Sequence, residues 1–446
     1  MILHCGARTI DQLIHAQDRF TVLRPTKAPK SNRPRVPSPD GTGFWRQPTM
    51  AKSVLYVVAS VNPAAGGIAE GAVRSCETLK SIGFKLEIAS LDHSSDPWVA
   101  KCPIRVVALG VGGARYRKIK RFVPGLRYGY SPHFVPWLKT NIHRFDAVVL
   151  NGLWNFSALG SWLALRDSRK PYFVYTHGML DPWFRRAYPV KHFAKQLFWL
   201  FSEGRLLAGS RAVLFTTEEE RLLARNAFLP YRCKEAVVGY GIPCPPADTS
   251  EARNSFQLRC PSLGGRPFLL FLGRLHPKKG CDLLIRALGR IGASFPYDVV
   301  FAGPDDVGWK SELILLSKQL GISERIHWPG MLVGPEKWGA LYSSQALILP
   351  SHQENFGIVV AEALGCEREV LITKRVNVWH EVLSSDAGLV FEDTQSDIEF
   401  ALDKYRSQSE HETNRRRTDA RRLFLRSFEI QASTNRLADL IEGAAR

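Results

Sequence analysis

The sequence predicts an α/β protein built from two tandem Rossmann-like domains. The chain has 446 residues, which exceeds the usual length of one domain. Short apolar runs alternate with helical segments over most of it, and a Pro-rich segment at 241–253 interrupts this alternation once. Since alternating strands and helices form parallel sheets with helices on both faces, each alternating set is expected to form one such sheet.

The first alternating set begins at Ser53 and contains short apolar runs that are typical of buried strands. The predicted strands cover 54–60, 86–90, 105–109, 146–151, 172–176 and 212–217. Thr217 followed by Glu220 has the spacing of a capping box, which predicts that a helix begins there.

The second alternating set follows the Pro-rich segment, which is a predicted linker. Its predicted strands cover 267–273, 298–303, 326–330, 346–350 and 369–373. The stretch 428–441 predicts a final amphipathic helix.

These patterns give four predicted regions, at 1–49, 50–243, 244–426 and 427–446. Residues 1–49 include a basic, Pro-rich stretch without periodicity, which is typical of a disordered extension. An equally open alternative is that translation starts at Met50. The last region is the C-terminal helix.

The bulk composition limits the class of protein. The chain lacks an apolar run long enough to span a bilayer, and its first residues lack the build of a secretory signal. The eight cysteines are scattered without zinc-type spacing, which suits a cytoplasmic location and predicts no metal site. The net charge of +18 would fit a nucleic acid, an anionic membrane surface or a phosphorylated substrate as partner.

The segment Gly273–Gly280 follows the first strand of the second domain, and ligands of open α/β sheets bind at the carboxyl ends of strands. The Arg274 guanidinium can fork onto phosphate oxygens, and Lys279 adds a point charge. Gly280 permits the turn into a helix at 281–291. The alternative is a solvated basic turn.

The segment His352–Gly357 also follows a strand and precedes a helix, whose free N–H groups favour an anion. Glu354 and Glu362 would lie about 12 Å apart if both were on one helix. That separation fits a sugar and a ribose joined by a diphosphate. It does not fit a glycosidase pair, whose carboxylates lie about 5–10 Å apart. The alternative is that Glu354 is a cap-region residue and Glu362 a solvated helix position.

Two weaker motifs lie in the first domain. Gly66 and Gly67 follow the first strand and open a helix, without the GxGxxG spacing of dinucleotide sites. His177, beside Gly178 at a strand end, can hydrogen-bond a sugar hydroxyl. A flexible turn and a structural histidine are the respective alternatives.

The stretch 113–145 combines eight Lys and Arg residues and seven aromatics with no Asp or Glu. This composition favours contact with an anionic membrane surface. The alternative is a solvated basic face. A nucleic-acid partner is not expected, because the chain has no nucleic-acid-binding motif.

Taken in order, the Gly66–Gly67 loop, His177–Gly178, FLGRLHPKKG and PSHQENFGIVVAEAL resemble the family-4 retaining glycosyltransferases, which have the GT-B fold. The resemblance covers roughly residues 53–446. YTHGMLDPW and the Lys- and aromatic-rich helix after it are similar to the branch found in bacterial exopolysaccharide clusters. The resemblance implies an interdomain cleft and a C-terminal helix that crosses back to the first domain.

The resemblance also implies roles for individual residues. The catalytic residues would be Arg274, Lys279, Glu354 and His177. The donor-binding residues would be Gly66, Gly67, Gly273, Asn355, Phe356, Gly357 and Glu362. Basic side chains would hold the diphosphate, Glu354 and His177 the transferred sugar, and Glu362 the ribose. The donor would be a nucleotide sugar and the acceptor a saccharide or lipid-linked saccharide, with no metal or cofactor.

One departure concerns the turn after Glu362, where relatives commonly read ALACGxPVL and this chain reads ALGCEREVL. Glu367 and Glu369 replace the usual Gly and Pro, which places the stability of this turn in question.

Three other classes of protein remain open at this point. A nucleotide-sugar epimerase can share the GT-B fold and needs no acceptor. A dinucleotide oxidoreductase could use Asp92 as its ribose acid, although the glycine spacing is wrong. A non-enzymatic basic binding protein would explain 113–145 but would leave Arg274 and Lys279 without a role.

Overall fold

The computed structural model describes residues 52–112, 128–182, 185 and 188–444, all within one compact unit, Pro48–Arg446. The first domain is built on a seven-stranded sheet in the order β3-β2-β1-β4-β5-β6-β7, in which all neighbours are parallel. Its strands are β1 Ser53–Val58, β2 Lys85–Ser90, β3 Val106–Ala108, β4 Ala147–Asn151, β5 Tyr172–Tyr175, β6 Ala212–Phe215 and β7 Glu235–Val237. The central strands are fully buried, since helices cover both faces.

The helices of the first domain alternate with these strands. They are α1 Gly67–Ser81, α2 Pro97–Ala100, α3 Phe134–Asn141, α4 Phe156–Leu165, α5 Pro189–Phe201, α6 Glu203–Gly209 and α7 Glu218–Ala224. Short 3₁₀ helices cover Pro63–Ala65 and Ile142–Arg144.

The second domain has a six-stranded parallel sheet in the order β10-β9-β8-β11-β12-β13. Its strands are β8 Phe268–Leu272, β9 Asp298–Ala302, β10 Ile326–Gly330, β11 Ala346–Leu349, β12 Glu369–Thr373 and β13 Gly388–Phe391. One large cluster of buried apolar side chains packs around this sheet. The predicted fold class of two tandem Rossmann-like domains is therefore confirmed.

The second domain has helices on both faces of its sheet. They are α8 Ser250–Arg259, α9 Cys281–Ile291, α10 Lys310–Gln319, α11 Gly334–Ser343, α12 Ile358–Gly365, α13 Trp379–Ser384, α14 Gln395–Arg406 and α15 Glu410–Leu423. A π-helical segment, Phe424–Phe428, joins α15 to the last helix, α16 Ile430–Ala444.

The last helix returns to the first domain. Leu437 and Ile441 are buried in the same apolar cluster as Val54 of β1. The crossing is fixed where Ile242 pairs with Glu429, and the N–H of Ile430 donates to the Ile242 carbonyl at 3.0 Å. The exact boundaries at 49, 243 and 426 stay predictions.

Several local predictions need correction. β7 and β13 were not predicted, because one is a three-residue strand and both lie at a sheet edge. The linker prediction extended too far, since α8 begins at Ser250 with the Thr249 side chain as its N-cap. The disordered extension at 1–49 lies outside the described residues.

The unusual turn after α12 has a clear conformation. Glu367 takes a left-handed conformation with φ of 59°, where a glycine would be unstrained. Glu369 is fully buried near Arg416, and burial raises the pKa of its carboxyl to about 7. The turn therefore forms with the sequence that the chain has, at the cost of one strained residue.

The stretch 113–145 is described only from Tyr128 onward. In that part Phe134 and Phe145 are buried, and Trp137 packs against the core of the first domain, whereas Tyr130 is half exposed. The aromatics of this described part therefore mostly stabilise α3 on the sheet. The expectation that the aromatics face a membrane is wrong for Phe134 and Phe145. For the rest of the described stretch it stays a prediction, and residues 113–127 lie outside the described part.

Within the described residues, no helix combines the length and the apolar character needed to cross a bilayer.

Candidate active site

The strand order of the second sheet reverses between β8 and β11, and ligands of such sheets bind in the crevice at this point. The loops that follow these two strands meet there, since the N–H of His352 donates to the Lys278 carbonyl at 2.8 Å. Gly280 has a φ of 63°, and a Cβ atom there would collide with the Pro350 carbonyl. Only glycine therefore allows the two loops to approach this closely.

Two of the predicted cations lie on the first of these loops. Arg274 is exposed, and its side chain forms no hydrogen bond or ion pair within the described part of the chain. Lys279 is half buried and forms an ion pair with Glu354. Burial, with Arg274 and Lys278 close by, lowers the pKa of Lys279 to about 8. Arg274 therefore supplies this loop with a positive charge that no described carboxylate pairs, beside the paired Lys279.

Glu354 does not lie on the helix that carries Glu362, so the separation of about 12 Å expected for two residues on one helix does not apply to this pair. The helix α12 begins only at Ile358, with Gly357 as its N-cap. Glu354 is in the preceding loop, where its N–H donates to the Arg375 carbonyl at 2.8 Å. Glu362 is on α12 itself and accepts from Lys337 Nζ at 2.6 Å.

The segment between these carboxylates presents free backbone donors. Within the described residues, the N–H groups of Asn355, Phe356 and Gly357 form no hydrogen bond. Unpaired N–H groups at a helix N-terminus attract an anion. Together with the nearby cations, they form a site suited to a phosphate group.

Gly273 is placed at the end of β8, where its N–H donates to the Ala302 carbonyl at 2.9 Å. No group of His, Cys, Asp or Glu in the described part of the chain is arranged to hold a metal ion. Metal independence stays a prediction.

The strand order of the first sheet reverses between β1 and β4, and the loop after β1 carries the predicted glycines. Gly66 is the N-cap of α1, and Gly67 is its first residue. The Gly67 carbonyl accepts from Tyr240 Oη at 2.6 Å. The ring of Tyr240 also contacts Phe356 of the other domain, with 5.3 Å between ring centroids.

His177 lies in the loop after β5 and is held on two sides. Its Nε2 is 3.1 Å from Asn151 Oδ1, and its ring stacks on Tyr175. Burial lowers the pKa of His177 to about 4, so the imidazole is neutral at pH 7. A neutral imidazole can donate a hydrogen bond to a sugar hydroxyl or accept one from it.

Glu220 fixes this loop, a role that the sequence did not reveal. Its Oε1 accepts from the Gly178 N–H at 2.6 Å and from Thr176 Oγ1 at 2.7 Å. Its Oε2 accepts from the Thr216 N–H at 2.8 Å. The Thr217 side chain caps α7 as predicted, but the reciprocal bond of a capping box does not form, because Glu220 turns toward the His177 loop.

The two domains meet across a cleft at the carboxyl edges of their sheets. Gln353 Nε2 donates to Asp181 Oδ2 at 2.8 Å, and Gln353 Oε1 accepts from Lys278 Nζ at 2.5 Å. Gly178 lies against Asn355 so closely that a Cβ atom at Gly178 would be 2.5 Å from Asn355 Cγ. The His177 loop therefore faces the segment that carries Glu354.

Comparison with known families divides the chain in the same way. Residues 66–241 match the family model described as a glycosyl transferase 4-like domain. Residues 259–422 match the model described as glycosyl transferases group 1.

Curated relatives match over shorter segments. The D-inositol 3-phosphate glycosyltransferase of Actinosynnema mirum is 31% identical over 138 residues, which are 28% of this chain and 31% of that protein. The protein of the same name from Nocardia farcinica is 33% identical over 28% of each chain. The matched segments thus span about a third of the length of these relatives.

Solved structures match over nearly the whole described chain. Anabaena HepE in complex with UDP and glucose is 16% identical, with a TM-score of 0.65 over 88% of this chain and 100% of that one. A glycosyltransferase from Rickettsia africae is 16% identical, with a TM-score of 0.68 over 89% and 99%. The chain therefore has the GT-B fold, and each of its two domains matches a glycosyltransferase family model.

Proposed function

We propose that this protein is a glycosyltransferase that moves a sugar from a nucleotide diphosphate sugar to an acceptor. The observation that carries the proposal is the anion site at the end of β8 and β11. Arg274, Lys279 and the free N–H groups of 355–357 converge there, opposite the neutral His177. This combination fits a diphosphate with a sugar attached.

The proposed donor is a UDP- or GDP-sugar bound mainly by the second domain. Arg274 and Lys279 would hold the diphosphate, and they would stabilise the charge that develops on it as the sugar leaves. Glu362 would bind the ribose hydroxyls. The structure of Anabaena HepE contains UDP, which supports UDP as the first nucleotide to examine.

In the proposed reaction the anomeric configuration is kept and no metal takes part. The bond from the anomeric carbon to the donor phosphate breaks, and a bond from that carbon to the acceptor oxygen forms on the same face. The leaving phosphate accepts the proton of the acceptor hydroxyl. Glu354 and His177 would position the transferred sugar, because the loops that carry them meet across the cleft where Gly178 lies against Asn355.

The acceptor is proposed to be a saccharide or lipid-linked saccharide of surface-polysaccharide synthesis in the cytoplasm. The relatives named above act, by their names, on an inositol phosphate. An acceptor that carries phosphate would also suit the net charge of +18.

Nucleoside diphosphates are expected to raise the melting temperature of the protein, whereas the matching nucleosides are not. A ligand at 100 times its Kd stabilises the folded state by about 2.7 kcal/mol, which corresponds to several degrees for a chain of this size. Differential scanning fluorimetry with UDP, GDP, uridine and guanosine measures this shift. If neither diphosphate moves the transition, the anion site does not bind a nucleotide, and a basic binding protein becomes the better account.

A further inference from the structure

The helix α5 has apolar residues on its outer side as well as on its inner side. Its solvent-facing side carries Val190, Phe193, Leu197, Leu200 and Phe201, which are 83%, 66%, 47%, 40% and 65% exposed. These positions recur at intervals of three and four residues and so form one stripe along the helix. We name them the α5 stripe. Exposed apolar area of this kind marks an interaction site.

The orientation of α5 is fixed by its inner face, on which Trp199 is buried and His192 and Lys195 contact aromatic rings. His192 stacks on Phe228 with 4.6 Å between ring centroids, and Lys195 Nζ lies 4.6 Å from the ring of Trp154. The indole of Trp199 donates to the Pro230 carbonyl at 3.0 Å. Rotating the helix to hide the stripe would break these contacts, so its exposure belongs to the folded state.

A basic pocket lies beside the end of α5. It has a volume of about 600 Å³, and its lining includes Arg166, Arg169, Lys170, Arg205, Arg211 and Lys234. Within the described part of the chain, the side chains of Arg169, Arg211 and Lys234 form no hydrogen bond or ion pair. Their charge is therefore available to an anion. We name this the basic pocket.

The stripe and the pocket are contiguous. Arg205 lines the pocket, and its Nε donates to the carbonyl of Leu200, a stripe residue, at 3.1 Å. Arg211 directly precedes β6, so the pocket lies at the amino edge of the first sheet. The candidate active site lies at the carboxyl edges, and the pocket is thus a separate site.

We infer that the α5 stripe and the basic pocket dock this protein on an anionic phospholipid bilayer. The apolar side chains would enter the boundary between headgroups and acyl chains, and the unpaired cations would bind headgroup phosphates. The stripe residues have no hydrogen-bonding side chain, which suits the apolar interior of a bilayer. The adjoining cations suit its anionic headgroups. The inference concerns a surface outside the cleft and does not depend on the proposed reaction.

The docking surface has a structural link to the acceptor side of the cleft. Lys195, on the inner face of α5, contacts Trp154, and the Trp154 indole donates to the carbonyl of Met179 in the His177 loop at 3.4 Å. A membrane bound to the stripe would therefore lie behind the element that supports this loop. If the proposed function holds, an acceptor anchored in the bilayer would be held near the cleft.

Flotation with vesicles of phosphatidylcholine alone, and of phosphatidylcholine with 40% phosphatidylglycerol, at low and high salt tests the inference. One variant replaces Phe193, Leu197 and Phe201 with Ser, and a second replaces Arg169, Arg211 and Lys234 with Glu. Matched controls carry Ser at Leu258, Leu315 and Phe400, which are 83%, 57% and 69% exposed, or Glu at the exposed residues Lys101, Arg290 and Lys318. Circular dichroism establishes that each variant is folded.

The parent protein and both controls are expected to float with the anionic vesicles at low salt, and the two docking variants are expected to bind at least about tenfold more weakly. Neutral vesicles and high salt should weaken parent binding. Equal binding by parent and docking variants would overturn the inference. It would also be overturned if the parent protein did not bind the anionic vesicles. If such a parent formed a dimer that the stripe variant abolished, the α5 stripe would be a dimer interface instead.

Discussion

Lys279→Ala is expected to lower kcat for sugar transfer by about 10²–10³, with little change in the melting temperature. The reason is that a preorganised charge facing the leaving group acts mainly in the transition state, and the loss of one such contact costs this much. Arg274→Ala should have an effect of similar size, because Arg274 is free to fork onto the same phosphates. The measurement is steady-state turnover of the preferred nucleotide sugar by each variant.

Lys318→Ala serves as the matched control, since it removes an exposed cation of the same domain on α10. Its turnover should equal that of the parent protein. If both Lys279→Ala and Arg274→Ala kept a kcat near that of the parent protein, the proposal that these residues hold the donor diphosphate would be wrong.

The lowered pKa of Lys279 provides a second test of the proposal that this residue holds the diphosphate, through the pH dependence of kcat/KM. Because its pKa is about 8 in the free protein, Lys279 is charged below that pH and neutral above it. The kcat/KM of the parent should therefore fall as the pH rises through about 8. This decline should be absent from the residual activity of Lys279→Ala.

Gly178→Ala is expected to lower kcat/KM by about 10²-fold, because the new methyl group would press against Asn355 across the cleft. The Cβ atom would lie 2.5 Å from Asn355 Cγ, so the Asn355 side chain or the approach of the two domains would have to shift. A displacement of about 1 Å at reacting groups is enough for a loss of this size. Kinetics and thermal unfolding of the variant measure the two effects separately.

Gly264→Ala is the control for backbone strain. Gly264 also has a positive φ, of 59°, but a Cβ atom there would meet no atom within 4 Å. Both variants should lose about 1–2 kcal/mol of stability because both force alanine into the left-handed region, and Gly178→Ala should lose more because its methyl group also meets Asn355. If Gly264→Ala lost as much activity as Gly178→Ala, strain and not the contact between the domains would explain the result.

The sequence was sufficient for most of the fold. Strands such as Phe268–Leu272 and Ala346–Leu349 are continuous apolar runs that must be buried, and these determine the two parallel sheets. The sequence pattern did not predict the edge strands β7 and β13, and for β7 the physical reason is clear. Glu235–Val237 is short, starts with a charged residue and pairs with one neighbour only, so its sequence carries little burial signal.

The candidate site was only partly predictable. Arg274, Lys279, Glu354 and His177 stand in chemically distinctive loops at strand ends, and the structure places those loops at the cleft. Contacts between residues far apart in the chain could not be predicted from the spacing of residues in the sequence. Glu220 lies 42 residues from Gly178, and Gln353 lies 172 residues from Asp181, so neither pair could be read from spacing.

Exposure is the other property that composition does not determine. The basic and aromatic composition of 113–145 predicts a membrane surface, yet Phe134 and Phe145 are core residues. The α5 stripe looks like an ordinary amphipathic helix in the sequence. Which of its two faces meets the solvent is decided by packing against Trp154 and Phe228.

The most direct test of the central claim is a transfer assay with a panel of UDP- and GDP-sugars, each with and without a mixture of saccharide and lipid-linked acceptors. We expect release of a nucleoside diphosphate from one donor, stimulated by acceptor, with the sugar recovered covalently attached to that acceptor by mass spectrometry. Release of the nucleotide with a free, isomerised sugar regardless of acceptor would identify an epimerase instead. If no donor in the panel is turned over, the claim that this cleft transfers sugar is contradicted.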